Sequence, residues 1–169
     1  MPIVKRLFLL RHAKSSWDEP GLADHERPLA KRGRRASKTI ARHLKDEGIH
    51  PELVLCSSSA RTRETLERIG LGEGVEVQIE DDVYAASAGE LLAALNRVPD
   101  EIGSAMLIGH NPGLQDLALQ LAGDGADIPR VRQKYPTAAL ATLDFDRRWS
   151  ELAPGACKLV GFVKPKELA

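Results

Sequence analysis

Apolar and polar positions alternate in blocks along this chain. Residues 3–10, IVKRLFLL, carry Ile, Val, Leu and Phe with little alternation, the pattern of a central strand covered on both faces. From Leu29 to Glu47 the apolar residues Leu29, Ala36, Ile40, Ala41 and Leu44 recur at helical spacing, and Gly48 stands where such a helix would stop. Residues 51–72, PELVLCSSSARTRETLERIGLG, read as strand, turn and helix, with serines available as helix caps. VEVQI, residues 75–79, predicts a short alternating strand, and SAGELLAALNRV, residues 87–98, a helix capped by Ser87. Residues 104–123, SAMLIGHNPGLQDLALQLAG, repeat the strand, polar junction and helix order. AALATLDF and CKLVGFV close the chain as two more strands, and Gly123 to Thr137 is the only long stretch expected to be irregular.

Strands that alternate with helices predict an α/β fold with a mostly parallel sheet and helices on both faces. In such sheets functional sites gather at the carboxyl ends of the strands. The length of 169 residues fits one domain spanning 1–169. Lys and Arg number 24 against 24 Asp and Glu, so no nucleic-acid or membrane partner is expected across the surface as a whole. The basic run KRGRR, residues 31–35, is expected to be a solvated helix face. MPIVKRLFLL is too short and too interrupted for a signal peptide or anchor, and a cytoplasmic location is the expectation. Cys56 and Cys157 sit inside apolar runs and are expected as small buried hydrophobes. With no CxxC, HExxH or His-Cys cluster, no metal and no cofactor is expected.

Three polar junctions each follow an apolar strand: Arg11-His12, SSSARTRET with Arg61 and Arg63, and GHNPG with His110. Were these strands neighbours, two imidazoles and at least two guanidiniums would share one pocket in a protein of no net charge. Unpaired buried cations are expensive, so such a pocket calls for an anion. Arg presents a planar fork matched to tetrahedral oxyanions, which favours phosphate. Asn111 can serve as N-cap with Pro112 at the first helical position, placing His110 beside a helix N-terminus that also attracts anions. A neutral imidazole is a nucleophile towards phosphorus, so His12 could attack while Arg11, Arg61 and His110 hold the phosphoryl oxygens. Ser15 and Asn111 are further candidates for phosphate binding.

These motifs resemble the histidine phosphatase superfamily, the phosphoglycerate mutase-like family. LLRHAKS stands where the family has its strand-terminal Arg-His-Gly, with Ala13 replacing the glycine. Ser57, Arg61 and Thr65 fit its Ser-x-x-x-Arg-x-x-x-Thr segment, and LIGHNPG fits its second-histidine segment. RHAKSSWD, DHERPLAKRG and GHNPGL together look most like the phosphohistidine phosphatase, or SixA-like, branch. The resemblance implies a three-layer α/β/α sandwich, His12 as the residue phosphorylated in the intermediate, and Arg11, Arg61 and His110 as its phosphate pocket. Its mutase-like members carry an acidic residue a few positions before a tyrosine, an offset that Asp81 matches ahead of Tyr84. Asp81 is therefore the candidate general acid, set against the reading in which the acidic triplet Glu80, Asp81 and Asp82 caps a strand or faces solvent.

His43 and His50 are expected on the surface, and Arg63 is expected to point away from Arg61. His25 lies on the loop above the proposed pocket, and for it, Arg27 and Lys14 a rim contact is the lesser alternative to a bland surface role, while Trp17 either walls the entrance or packs under the loop. The leading function is a metal-independent phosphohydrolase acting on a phosphorylated protein histidine or a small phosphorylated substrate. A phosphoglycerate mutase-like phosphotransferase and a phosphate-binding module without turnover are the alternatives.

Overall fold

An uninterrupted apolar run is buried only where both its faces are covered, and the first strand is placed accordingly. The computed structural model describes residues 4–168, so Ile3 lies outside the described residues. Seven strands, β1 (Lys5–Arg11), β2 (Leu53–Ser57), β3 (Glu76–Glu80), β4 (Ser104–Gly109), β5 (Ala122–Asp124), β6 (Leu140–Phe145) and β7 (Cys157–Val163), form one sheet in the order β3-β2-β4-β1-β6-β7-β5. Five helices accompany them: α1 (Lys31–Asp46), α2 (Ala60–Ile69), α3 (Ala88–Asn96), α4 (Gly113–Leu121) and α5 (Ile128–Gln133). β1 pairs in parallel with β4 and antiparallel with β6; β6 and β7 are also antiparallel, and the remaining pairings are parallel.

Side chains alternate across a strand, so β1 feeds two cores. Leu7 and Leu9 join Leu91, Leu114, Val131 and Trp149 on the face covered by α3, α4 and α5. Phe8 and Leu10, with Val54, Met106 and Ile108, meet Ile40, Leu44 and Ile69 on the face covered by α1 and α2. The result is the three-layer α/β/α sandwich with a mostly parallel sheet that the sequence motifs implied.

Local signals set most boundaries. Ser59 caps α2 by accepting from the Thr62 N–H at 3.4 Å, and Ser87 with Glu90 forms a reciprocal capping box on α3. Gly48 follows α1 at φ +64°, a backbone state that glycine reaches without a Cβ clash. Two expectations are corrected. α1 begins at Lys31, because Leu29 instead forms a short antiparallel bridge with Ser15. The stretch from Gly123 to Thr137 is not irregular: it holds most of β5 and the six-residue α5. Both are too short for a hydrophobic period to emerge, and α5 buries only Val131. β3 is an edge strand whose Val77 and Ile79 stay nearly half exposed.

The position of the site follows from this winding. α1, which leaves β1, packs on one face, while α4, which leaves β4, packs on the other. Adjacent parallel strands whose connections diverge in this way open a crevice at their carboxyl ends. That crevice lies between Arg11-His12 and Gly109-His110.

Candidate active site

β4 stands between β2 and β1, with Arg11 level with Gly109 and Cys56 level with Ile108. Parallel pairing brings all three chain exits to the same edge. His12 and His110 come within 5.2 Å between ring centroids, tilted by 51°. Arg61, in the first turn of α2, donates from Nη2 towards His110 Nδ1 at 3.4 Å. His12, Arg61 and His110 are all buried, and Arg11 is partly so.

The hydrogen bonds settle what each ring can do. His12 Nδ1 lies 2.7 Å from the Ala13 carbonyl, which can only accept, so Nδ1 carries the proton and Nε2 keeps a free lone pair. Burial above all pushes His12 down to about 3; the Ala13 contact opposes this, and His110, Arg61 and Arg11 add to it. His110 accepts from Arg61 at Nδ1 and so donates from Nε2 to Ser57 Oγ at 2.7 Å. Burial first and Arg61 second push His110 down to about 4. Both imidazoles are neutral at physiological pH.

Arg11 donates from Nη1 to the Tyr135 carbonyl at 2.9 Å, and its buried Nε has no partner among the described residues. Burial, then the charge of Arg61, lowers its pKa, which places the two guanidiniums within reach of one another's field. An orphaned donor beside a second cation is the environment that an oxyanion relieves.

Over this floor lies the loop between β1 and α1. Asp24 accepts from Arg61 twice, through its carbonyl at 2.8 Å and its carboxylate at 3.0 Å. The same carboxylate accepts from Tyr84 Oη at 2.7 Å and from Arg27 at 2.9 Å. The Tyr84 hydroxyl above all holds Asp24 down at about 2; burial, the next largest influence, opposes this, and Arg61 and then Arg27 add to the lowering. Asp24 is therefore an anion that aims Arg61, and it cannot release a proton near neutrality. Sequence reasoning missed it, because a lone Asp in a polar loop carries no spacing that marks it.

The Ser57, Arg61 and Thr65 motif acquires a division of labour. Ser57 fixes His110, while Thr65 Oγ1 donates to the Arg61 carbonyl at 2.7 Å and accepts from the Ala13 N–H at 3.1 Å. Thr65 thus ties α2 to the residue that orients His12.

The other residues singled out in the sequence take the following places. Ser15 Oγ is buried and accepts from Arg27 Nη2 at 2.5 Å, which commits it to the loop. Asn111 is engaged at both ends, donating to the Tyr135 carbonyl at 2.9 Å and accepting from the Gln115 N–H at 3.3 Å. It does not stand as the N-cap of α4; that position falls to Pro112, one residue later than expected. Asp81 opens a short 3-10 turn and is exposed; its carboxylate forms no hydrogen bond or ion pair with Arg11, His12, Arg61 or His110. His25 reaches Ser58 Oγ at 2.9 Å and packs edge-on against Tyr84 at 4.7 Å, on the rim. Arg27 stacks 3.2 Å from the centroid of the Trp17 ring, whose residue is 70% exposed. Arg63 and His50 are exposed, His43 is half-buried, and Cys56 and Cys157 are buried free thiols, each pushed up by burial to about 12.

Comparison with known proteins places these features in a family context. A sequence model of the histidine phosphatase superfamily (branch 1) matches residues 7–98, a span that includes Arg11, His12 and Arg61 and stops short of His110. An uncharacterized protein of Mycobacterium tuberculosis is 35% identical over 161 residues, covering 93% of this chain and 100% of that one, and so extends past His110. The phosphohistidine phosphatase SixA of Escherichia coli is 28% identical over 146 residues, covering 83% of this chain and 86% of its own. The crystal structure of an Agrobacterium tumefaciens protein assigned as SixA superposes with a TM-score of 0.82 at 30% identity, covering 98% and 99% of the two chains. Among the described residues, no helix is long and apolar enough to cross a membrane.

Proposed function

Because this chain belongs to the histidine phosphatase superfamily, within its SixA-like branch, we propose that it is a phosphohydrolase whose His12 carries the phosphoryl group between substrate and water. Its substrate is a phosphorylated protein histidine or a small phosphoester. The observation that carries the reading is the 2.7 Å contact from His12 Nδ1 to the Ala13 carbonyl, which leaves Nε2 unprotonated in a pocket charged by Arg11 and Arg61. A nucleophile held neutral by burial needs no base to activate it.

Nε2 attacks phosphorus in line, forming the N–P bond as the bond to the leaving atom breaks. Arg11 and Arg61 neutralise the equatorial oxygens, the role that preorganised donors fulfil in phosphoryl transfer. His110 is positioned by Ser57 and Arg61 to add a further donor once a phosphoryl oxygen replaces one of those contacts. Water then attacks the phosphoramidate and returns His12 to its neutral form. Asp24 stays ionised and Asp81 lies outside the contacts of the pocket, so the chemistry favours leaving groups that need little protonation, among them imidazole. The positive charge comes from Arg11 and Arg61, and turnover without added metal is part of the proposal.

Hydrolysis of an aryl phosphate in the presence of a chelator tests this directly. The wild type is expected to release inorganic phosphate, and His12→Ala to lose activity by on the order of 10³-fold or more. Equal hydrolysis by both proteins would remove His12 from its role. No hydrolysis by either would favour a binding module, and label passing to a second metabolite would favour a phosphotransferase.

A further inference from the structure

Next to the β1 exit the chain builds a second cationic feature that the reaction does not use. A cavity of about 260 Å³ is lined by Lys14, Arg32, Lys134, Lys164 and Lys166, with no acidic residue in its wall. None of the five forms an ion pair among the described residues. Glu167, the nearest acid in sequence, is already engaged by the Lys164 N–H at 2.9 Å and by Arg130 at 2.5 Å. Lys164 still feels the Glu167 charge, but five cations without a salt bridge around one hollow, in a protein of zero net charge, build a local positive potential that favours an anion.

The hollow is built into the fold. The Lys14 carbonyl accepts from the Ala30 N–H at 2.9 Å, and a Cβ at Gly33 would lie 2.1 Å from that same oxygen, so only glycine lets α1 start this close. That contact carries Arg32 to the wall, where it stays exposed, as the solvated face expected of the run from Lys31 to Arg35 allows. On the opposite side the Ala138 N–H bonds to the carbonyls of Arg11 and His12, anchoring the segment that bears Lys134. The cavity is therefore joined rigidly to the nucleophile, with Lys14 only two residues from His12.

We propose that this cavity docks an acidic segment of a phosphorylated protein partner; the proposal rests on the phosphohydrolase reading above. The cations come from four separate stretches of chain, with Pro136, Thr137 and Pro165 between them, which suits an extended peptide better than one small ion. No aromatic side chain lines the cavity to stack a base, which argues for a peptide over a nucleic acid. Carboxylates held there steer the partner and raise the encounter rate of its phosphorylated residue with His12.

Two synthetic peptides of equal length, each with one phosphohistidine flanked either by glutamates or by glutamines, separate the outcomes. The wild type is expected to prefer the glutamate peptide by roughly tenfold in kcat/KM. Lys164→Glu combined with Lys166→Glu is expected to abolish that preference while aryl phosphate hydrolysis and thermal stability are unchanged. Fluorescence anisotropy with the unphosphorylated glutamate peptide reads docking without turnover, and the double variant is expected to lose that binding. Equal kcat/KM for the two peptides, binding unaffected by the charge reversal, or an oligonucleotide duplex bound as tightly as the peptide would overturn the proposal. Binding that behaves as expected alongside no hydrolysis of either phosphopeptide or of an aryl phosphate would leave the docking groove standing and defeat the phosphohydrolase reading.

Discussion

The Ala13 carbonyl holds the single N–H proton of a neutral His12 ring and leaves the Nε2 lone pair free in a pocket that Arg11, Arg61 and His110 share. The proposed nucleophile and the cations beside it were legible in the sequence because the polar junctions that carry them each follow an apolar strand, where polar residues are otherwise unexpected. Asp24 and Tyr84 were not legible as a pair: 60 residues separate them, and only folding brings the 2.7 Å contact that keeps Asp24 ionised. The residue placed as general acid by its offset from Tyr84 gives the sharpest test at this scale. Asp81→Asn is expected to leave aryl phosphate turnover within about twofold, where loss of a true general acid costs roughly 10² to 10⁴ in rate. Steady-state kinetics on substrates with leaving groups of graded pKa decides it. A deficit that deepens as the leaving group worsens would restore Asp81 to the mechanism.

Strand ends fix where the reactive groups emerge, but α2 fixes their orientation. Thr65 lies one turn after Arg61 and spends its hydroxyl on both the Arg61 carbonyl and the Ala13 N–H. Thr65→Val keeps the shape and removes both bonds, leaving a buried donor unsatisfied at a cost of roughly 1–3 kcal/mol. The expected outcome is a Tm lower by several degrees and a fall in kcat greater than any change in KM, with Thr65→Ser restoring both. A Tm loss with kcat intact would confine Thr65 to a structural role. Among whole elements, α1, α2, α3 and the buried strands announced themselves through apolar period and serine caps. β5 and α5 did not, because three and six residues give periodicity nothing to repeat. The start of α4 was misplaced by one residue, since Asn111 turns its amide towards the Tyr135 carbonyl and the Gln115 N–H.

For the molecule as a whole, the sheet order was beyond the sequence, yet it is what converts three scattered junctions into one pocket: β2, β4 and β1 are neighbours although β3 intervenes along the chain. The same burial that makes the site links its charge state to stability. His12 and His110 sit at about 3 and about 4 in the folded protein, below the ordinary imidazole value near 6.5. Between those limits the unfolded chain binds more protons, so stability rises with pH and is lost as pH falls, by up to about 1.4 kcal/mol per pH unit for each group. Urea unfolding should therefore show a lower midpoint at about pH 4.5 than at pH 7; an unchanged midpoint would mean that the imidazoles are already charged when folded. Central to all of this is a phosphoryl group resident on His12. Rapid mixing with an aryl phosphate, quenching at alkaline pH and peptide mass spectrometry measures that species directly. Phosphate on the peptide carrying His12, appearing faster than inorganic phosphate and absent from His12→Ala, is the predicted result. Steady turnover with no phosphorylated His12 at any time would contradict it.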